Sequence, residues 1–313
     1  MMRITAFLAL LVAAGAALAQ DPPPNVFDRQ RGGTYVEPPA VVDRVYLPDG
    51  PGGYQDAKAQ PPSPLTLQLS LDVPLRRGGT ASLGRGVQGS TSASPTLQAL
   101  LRWRPVEDSH WFVQGVFYRY LRGDRQQPWH PDFTYSFGYD DWHPGTWSLV
   151  YANYTGTRFK PDAAAGEHRF NFPQGQWTLG YKFALPAPLE RWLLVGDGDQ
   201  STCGANAHYT PRYVEFSSGA MRSGKTAASL GCRYQRAAGW YAEAAVYAWP
   251  DGSQQQPWDP DYTYGFGYAD WRPGALSLRY SNYSGNRFPG RQRGAGEGTF
   301  RSGSITLTWS TEW

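Results

Sequence analysis

The sequence predicts an all-β fold: a single antiparallel up-and-down transmembrane β-barrel of about 12 strands, built from two six-strand repeats. Three observations predict it. A 34-residue stretch occurs twice, 129 residues apart and without a gap. From Leu65 onward, apolar and polar residues alternate with period two, which sends neighbouring side chains to opposite faces of a strand. The connections between these segments alternate between short and long.

The two copies are Gln126–Phe159 and Gln255–Phe288, identical at 23 of 34 positions. A gapless repeat of that length decides architecture before anything else is read. Each copy reads as strand, tight turn, strand. Phe133, Tyr135, Phe137 and Tyr139 alternate with Thr134, Ser136, Gly138 and Asp140; Tyr262, Tyr264, Phe266 and Tyr268 alternate with small residues in the same way. The turns, Asp141-Trp142-His143-Pro144-Gly145 and Asp270-Trp271-Arg272-Pro273-Gly274, carry the Pro-Gly signal.

From the amino terminus, residues 1–19 read as a secretory signal peptide. Arg3 precedes a short apolar run from Phe7 to Val12, and Ala17-Leu18-Ala19 supplies the cleavage site. The run is too short for a membrane-spanning helix. Residues 20–64, with Pro22, Pro23, Pro24 and seven further prolines, read as a flexible lead-in. The barrel is expected over 65–313, with repeat halves at about 65–185 and 190–313. The composition agrees: 13 Trp, 20 Tyr, 14 Phe and 36 Gly favour strands and turns. A net charge of +3, or +2 once Arg3 is removed, gives no argument for nucleic acid. Cys203 and Cys232 are free to pair after export.

Strands follow in order. Leu65, Leu67, Leu69, Leu71 and Val73 alternate with Thr66, Gln68, Ser70 and Asp72, the clearest strand in the chain. Leu97–Arg104, Trp111–Tyr120, the first hairpin and Trp177–Leu185 complete the first half. In the second half Trp192–Asp197 reads as a weak strand and Gly198–Lys225 as a long polar loop, with Arg212–Phe216 as an option for a strand extension. Thr226–Gln235, Trp240–Val246, the second hairpin and Ile305–Trp313 follow. Short and long connections on opposite sides, with an even strand number, are what an outer-membrane barrel requires. Closure leaves no strand edge unpaired in lipid.

The last strand carries a resemblance. Ile305-x-Leu307-x-Trp309-x-Thr311-x-Trp313 resembles the C-terminal signal strand of Gram-negative outer-membrane β-barrel proteins, which end on an aromatic residue after alternating apolar positions. Thr311 departs from the apolar pattern. The resemblance implies export, insertion by the barrel assembly machinery, outer-membrane lipid as surroundings, and a periplasmic place for the lead-in and the short turns.

On this fold one strand face meets lipid, and Trp103, Trp111, Trp142, Trp240 and Trp271 suit interfacial girdles. The opposite face supplies candidate lumen residues: Asp72, Arg102, Arg104, Gln114, Asp140, Lys182, Arg233, Glu243 and Arg279, with Gln68 and Gln98 beside them. They form either a satisfied polar core or the lining of a selective pore. In the long loops, the repeated Gln-Gln-Pro-Trp-x-Pro-Asp offers Trp129, Asp132, Trp258 and Asp261 as glycan or partner contacts, against the alternative that they stiffen the loop. No catalytic residue is assigned, since no Gly-x-Ser-x-Gly elbow is present and the second copy replaces His130 by Asp259 and His143 by Arg272. No phosphate loop, cofactor motif or metal-ligand spacing is found. The functional expectation is a narrow pore or export component for small polar or saccharide solutes. Its alternatives are a non-conducting surface or assembly protein that binds through its loops, and a secreted soluble carbohydrate-binding β protein.

Overall fold

The computed structural model describes residues 64–312, except 76–79, 83–87, 91–93, 107–108, 123–129, 142, 154–156, 163–168, 186–187, 190–191, 193–198, 216–217, 257–258, 270–273, 283–285 and 292–298. The signal-peptide and lead-in predictions lie outside these residues, save for Pro64.

Among the described residues fourteen strands form, twelve of them in one closed antiparallel barrel. The barrel strands are β1 (Leu65–Pro74), β4 (Thr96–Trp103), β5 (Trp111–Tyr120), β6 (Phe133–Asp140), β7 (Trp147–Asn153) and β8 (Gln176–Phe183). They continue with β9 (Gln200–Val214), β10 (Met221–Gln235), β11 (Trp240–Ala248), β12 (Tyr262–Tyr268), β13 (Leu276–Asn282) and β14 (Ser304–Glu312). The two others, β2 (Thr80–Ser82) and β3 (Gln88–Ser90), pair with each other in the first long loop. Each barrel strand pairs with its sequence neighbour in the barrel, and β1 closes the ring against β14. That closing register sets Leu69 beside Trp309 and Leu71 beside Leu307.

The register divides the side chains into two sets. Leu69, Val73, Leu97, Leu101, Val113, Phe117, Leu149, Leu179, Leu230, Phe266, Leu278 and Leu307 stand outward and exposed. Their neighbours Thr66, Thr96, Arg102, Gln114, Ser136, Ser148, His208, Ser229 and Thr263 point inward and are buried. The core of this protein is therefore polar and its surface apolar, the reverse of a water-soluble sandwich. Exposed Trp103, Trp111, Trp147 and Trp240 gather at the short-turn end of the outer face. Trp142 and Trp271 lie outside the described residues.

One sequence expectation is corrected. The segment read as a long loop, Gly198–Lys225, holds all of β9 and the start of β10, each 15 residues long; of the weak strand expected at Trp192–Asp197, all but Trp192 lies outside the described residues. The outward residues of β9 are Cys203, Ala205, Ala207 and Tyr209, and the inward ones are Gly204, Asn206, His208 and Thr210. Small outward residues hide the alternation on which the sequence reading relies. Cys203 and Cys232, directly opposed in β9 and β10, form a disulfide.

The long-loop end is fastened by contacts made twice. Asp132 Oδ2 accepts from Phe159 N at 3.1 Å, and Asp261 Oδ2 from Phe288 N at 3.0 Å. Asp132 N donates to Thr157 O at 2.8 Å, and Asp261 N to Asn286 O at 2.7 Å. The loop then folds back over the outer face. Tyr151 Oη donates to Phe172 O, and Tyr280 Oη to Phe300 O, both at 2.7 Å. Phe172 stacks on Tyr151 with centroids 4.4 Å apart, and Phe300 on Tyr280 at 4.3 Å. Asn153 and Asn282, outward by register, give their amides to Asn171 O and Thr299 O and are almost wholly buried beneath the loop. A Cβ on Gly175 or Gly303 would overlap the tyrosine hydroxyls, so glycine permits this close approach.

Candidate functional site

The inward face is built by strand parity alone. Because β1 and β4 pair Thr66 with Arg102, and β4 and β5 pair Arg102 with Gln114, these side chains share one face. The same reasoning carries around the ring through Ser136, Ser148 and Gly180. All nine predicted lumen residues fall on this inward set: Asp72, Arg102, Arg104, Gln114, Asp140, Lys182, Arg233, Glu243 and Arg279.

They gather in two clusters. In the first, Lys182 Nζ lies 2.6 Å from Asp140 Oδ1, with Arg102 close enough to act on the same carboxylate. The Arg102 guanidinium covers the Phe112 ring at 4.2 Å. Arg102, Arg104 and Gln114 are all buried. In the second, Glu243 is shared by two arginines: Arg279 Nη2 at 2.9 Å and Arg233 Nη1 at 3.8 Å. Arg233 also lies over the Tyr241 ring at 3.9 Å. Asp72 is held by Thr306 Oγ1 at 2.8 Å. The clusters occupy related places, because the repeat offset carries Arg104, Phe112 and Gln114 onto Arg233, Tyr241 and Glu243. Each guanidinium-over-ring contact holds its cation flat against the barrel wall.

Five of the nine are cations and three are anions, so these nine residues together carry an excess of positive charge. Inside a barrel wall of low polarisability, such an excess acts on a passing ion more strongly than it would on a water-exposed surface. Sequence reading missed Lys225, which it placed in a loop. Lys225 sits inward near the long-loop end, 2.5 Å from Asp259 Oδ2 and 5.1 Å from the centroid of the Trp249 ring. It also missed the inward His208, bonded to Ser229 Oγ at 2.9 Å and Thr178 Oγ1 at 3.1 Å.

The loop candidates divide differently. Trp129 and Trp258 lie outside the described residues. Asp132 is bonded to Arg158 Nη1 at 2.9 Å as well as to Phe159 N. Asp261 is fully buried, accepts from Gln255 Nε2 at 2.8 Å, and lies 3.5 Å from Arg291 Nη1. Both carboxylates bond within their own loops.

At the short-turn end, His110, Asp141 and His143 come together, a grouping absent from the sequence reading. Burial lowers the His110 pKa from its ordinary 6.5, and the neighbouring Asp141 only partly opposes it.

No known protein-family pattern matches the chain. No curated protein matches it either. Among solved structures, the chain is similar to the NanC porin in a rhombohedral crystal form, with 7% identity and a TM-score of 0.40 over 80% of this chain and 99% of that one.

Proposed function

We propose that this chain is an outer-membrane β-barrel that passes small polar solutes, with a preference for anionic ones such as acidic sugars. The observation that carries the reading is the reversal of polarity: an exposed apolar band outside, and inside it a polar wall whose nine candidate residues hold five cations against three anions. Such a wall attracts an anion by charge and offers guanidinium forks to a carboxylate. In this reading the short turns and both chain ends face the periplasm, and the long loops face outward. The paired contacts of the two hairpins support an origin by duplication of a six-strand unit.

The inward ion pairs narrow the passage, so a small cut-off in solute size is part of the proposal. Liposome swelling with the refolded protein tests it. Swelling is expected with sugars of monosaccharide size, faster for an acidic sugar than for a neutral one, and absent with large oligosaccharides. No swelling with any solute would favour the second reading, a non-conducting barrel whose inward charges only hold the wall together.

A further inference from the structure

We propose that His110, Asp141 and His143 form a binding site for one divalent first-row transition ion, of the zinc and copper class, at the short-turn end of the barrel. The three residues each offer one ligand atom, and these atoms lie within 4.8 Å of one another. His143 Nδ1 is 2.7 Å from Asp141 Oδ1, and His110 Nε2 is 3.7 Å from the same oxygen. Zinc bonds to nitrogen and oxygen are about 2.0–2.1 Å long, so tetrahedral ligand atoms stand about 3.3 Å apart. The two observed separations bracket that figure, and the two imidazoles, whose ligand atoms lie within 4.8 Å of each other, would draw together on the ion. Two imidazoles and one carboxylate suit zinc and copper rather than magnesium or calcium, which prefer all-oxygen surroundings.

The bland alternative is a turn that happens to contain histidines. Asp141 does make such a turn, accepting from His143 N at 3.0 Å. That turn needs only the aspartate. The second hairpin keeps Asp270 but has Arg272 in place of His143, and Gly239 stands at the position of His110. The hairpin therefore folds without either imidazole. Nor does the His110 side chain serve the fold through hydrogen bonds among the described residues. Its Nδ1 is buried without a partner among the described residues, and its Nε2 stands beyond hydrogen-bonding distance of Asp141. A half-buried imidazole whose Nδ1 has no partner among the described residues, facing a carboxylate and a second imidazole, is what a ligand set looks like before the ion enters. The ion would tie the β4–β5 connection to the β6–β7 turn, and the site stands whether or not the barrel conducts.

The test uses the mature protein, refolded in detergent and free of any histidine tag. Zinc titrated calorimetrically into it is expected to bind once per chain, and His110→Ala and His143→Ala are each expected to weaken binding at least tenfold. Electron paramagnetic resonance of the copper-loaded protein reads the ligands directly. Two imidazole nitrogens are expected in the native chain and one in each variant. The heat-dependent gel mobility of each variant shows that it has folded. Absence of saturable zinc binding, or binding that both variants leave unchanged, would overturn the proposal. So would a copper spectrum from the native chain without two nitrogen ligands.

Discussion

Tyr151 and Tyr280 show how much rests on single groups here. Each phenol sits on the outer face, yet each is almost wholly buried, stacked beneath a phenylalanine and bonded to that residue's carbonyl. Tyr151→Phe and Tyr280→Phe remove only the hydrogen bond, so each should lower stability by about 1 kcal/mol, read as a shift of the urea midpoint. Asn153→Ala leaves Asn171 O buried without its donor and should cost more, about 2 kcal/mol. Asp261 is the most committed loop residue, with no exposed surface and contacts to Phe288 N, Gln255 and Arg291. Asp261→Ala should cost about 3 kcal/mol and make the loop after β13 sensitive to added protease. If Asp261 instead binds a glycan and does not hold the loop, the variant will keep native protease resistance.

Among elements, the β9–β10 hairpin differs most from the rest. Its strands are 15 residues long, against 7 in β12 and β13, and a disulfide joins them. The two cysteines enclose a sequence separation of 29 residues. On loop-closure grounds, losing the bond costs about 3.6 kcal/mol. Cys203→Ser with Cys232→Ser should therefore unfold at lower denaturant while keeping native heat-dependent mobility; an unchanged midpoint would mean that the strand pairing alone holds the hairpin. This is also the one barrel element the sequence misplaced. Leu65–Val73 and the repeated hairpins are legible because large outward residues alternate with polar inward ones. In β9 the outward face is largely Cys203, Ala205 and Ala207, which lie too close in hydropathy to Gly204 and Asn206 for the period to show. The Phe172 and Phe300 clasps were equally out of reach, since they depend on where an irregular loop returns.

At the scale of the whole molecule, parity made the inward face legible. Once each strand is oriented, every second residue is assigned, and all nine charged or amide candidates fall inward. What parity cannot give is who pairs with whom. The sharing of Glu243 by Arg233 and Arg279 depends on register across four strands, β10 to β13, and the meeting of His110 with Asp141 and His143 joins two separate connections. A membrane reading of the exposed apolar band predicts that cell fractionation will find the protein in the outer membrane and that boiling will change its gel mobility. A water-soluble protein with no mobility change would require a different account of that band.

A passage lined with excess positive charge would show itself in the reversal potential of single channels in a planar bilayer under a potassium chloride gradient. Discrete channels are expected, with a reversal potential on the chloride side that moves toward the potassium side in Arg279→Glu. A cation-selective native channel, or correctly folded protein that never conducts at any voltage, would contradict it.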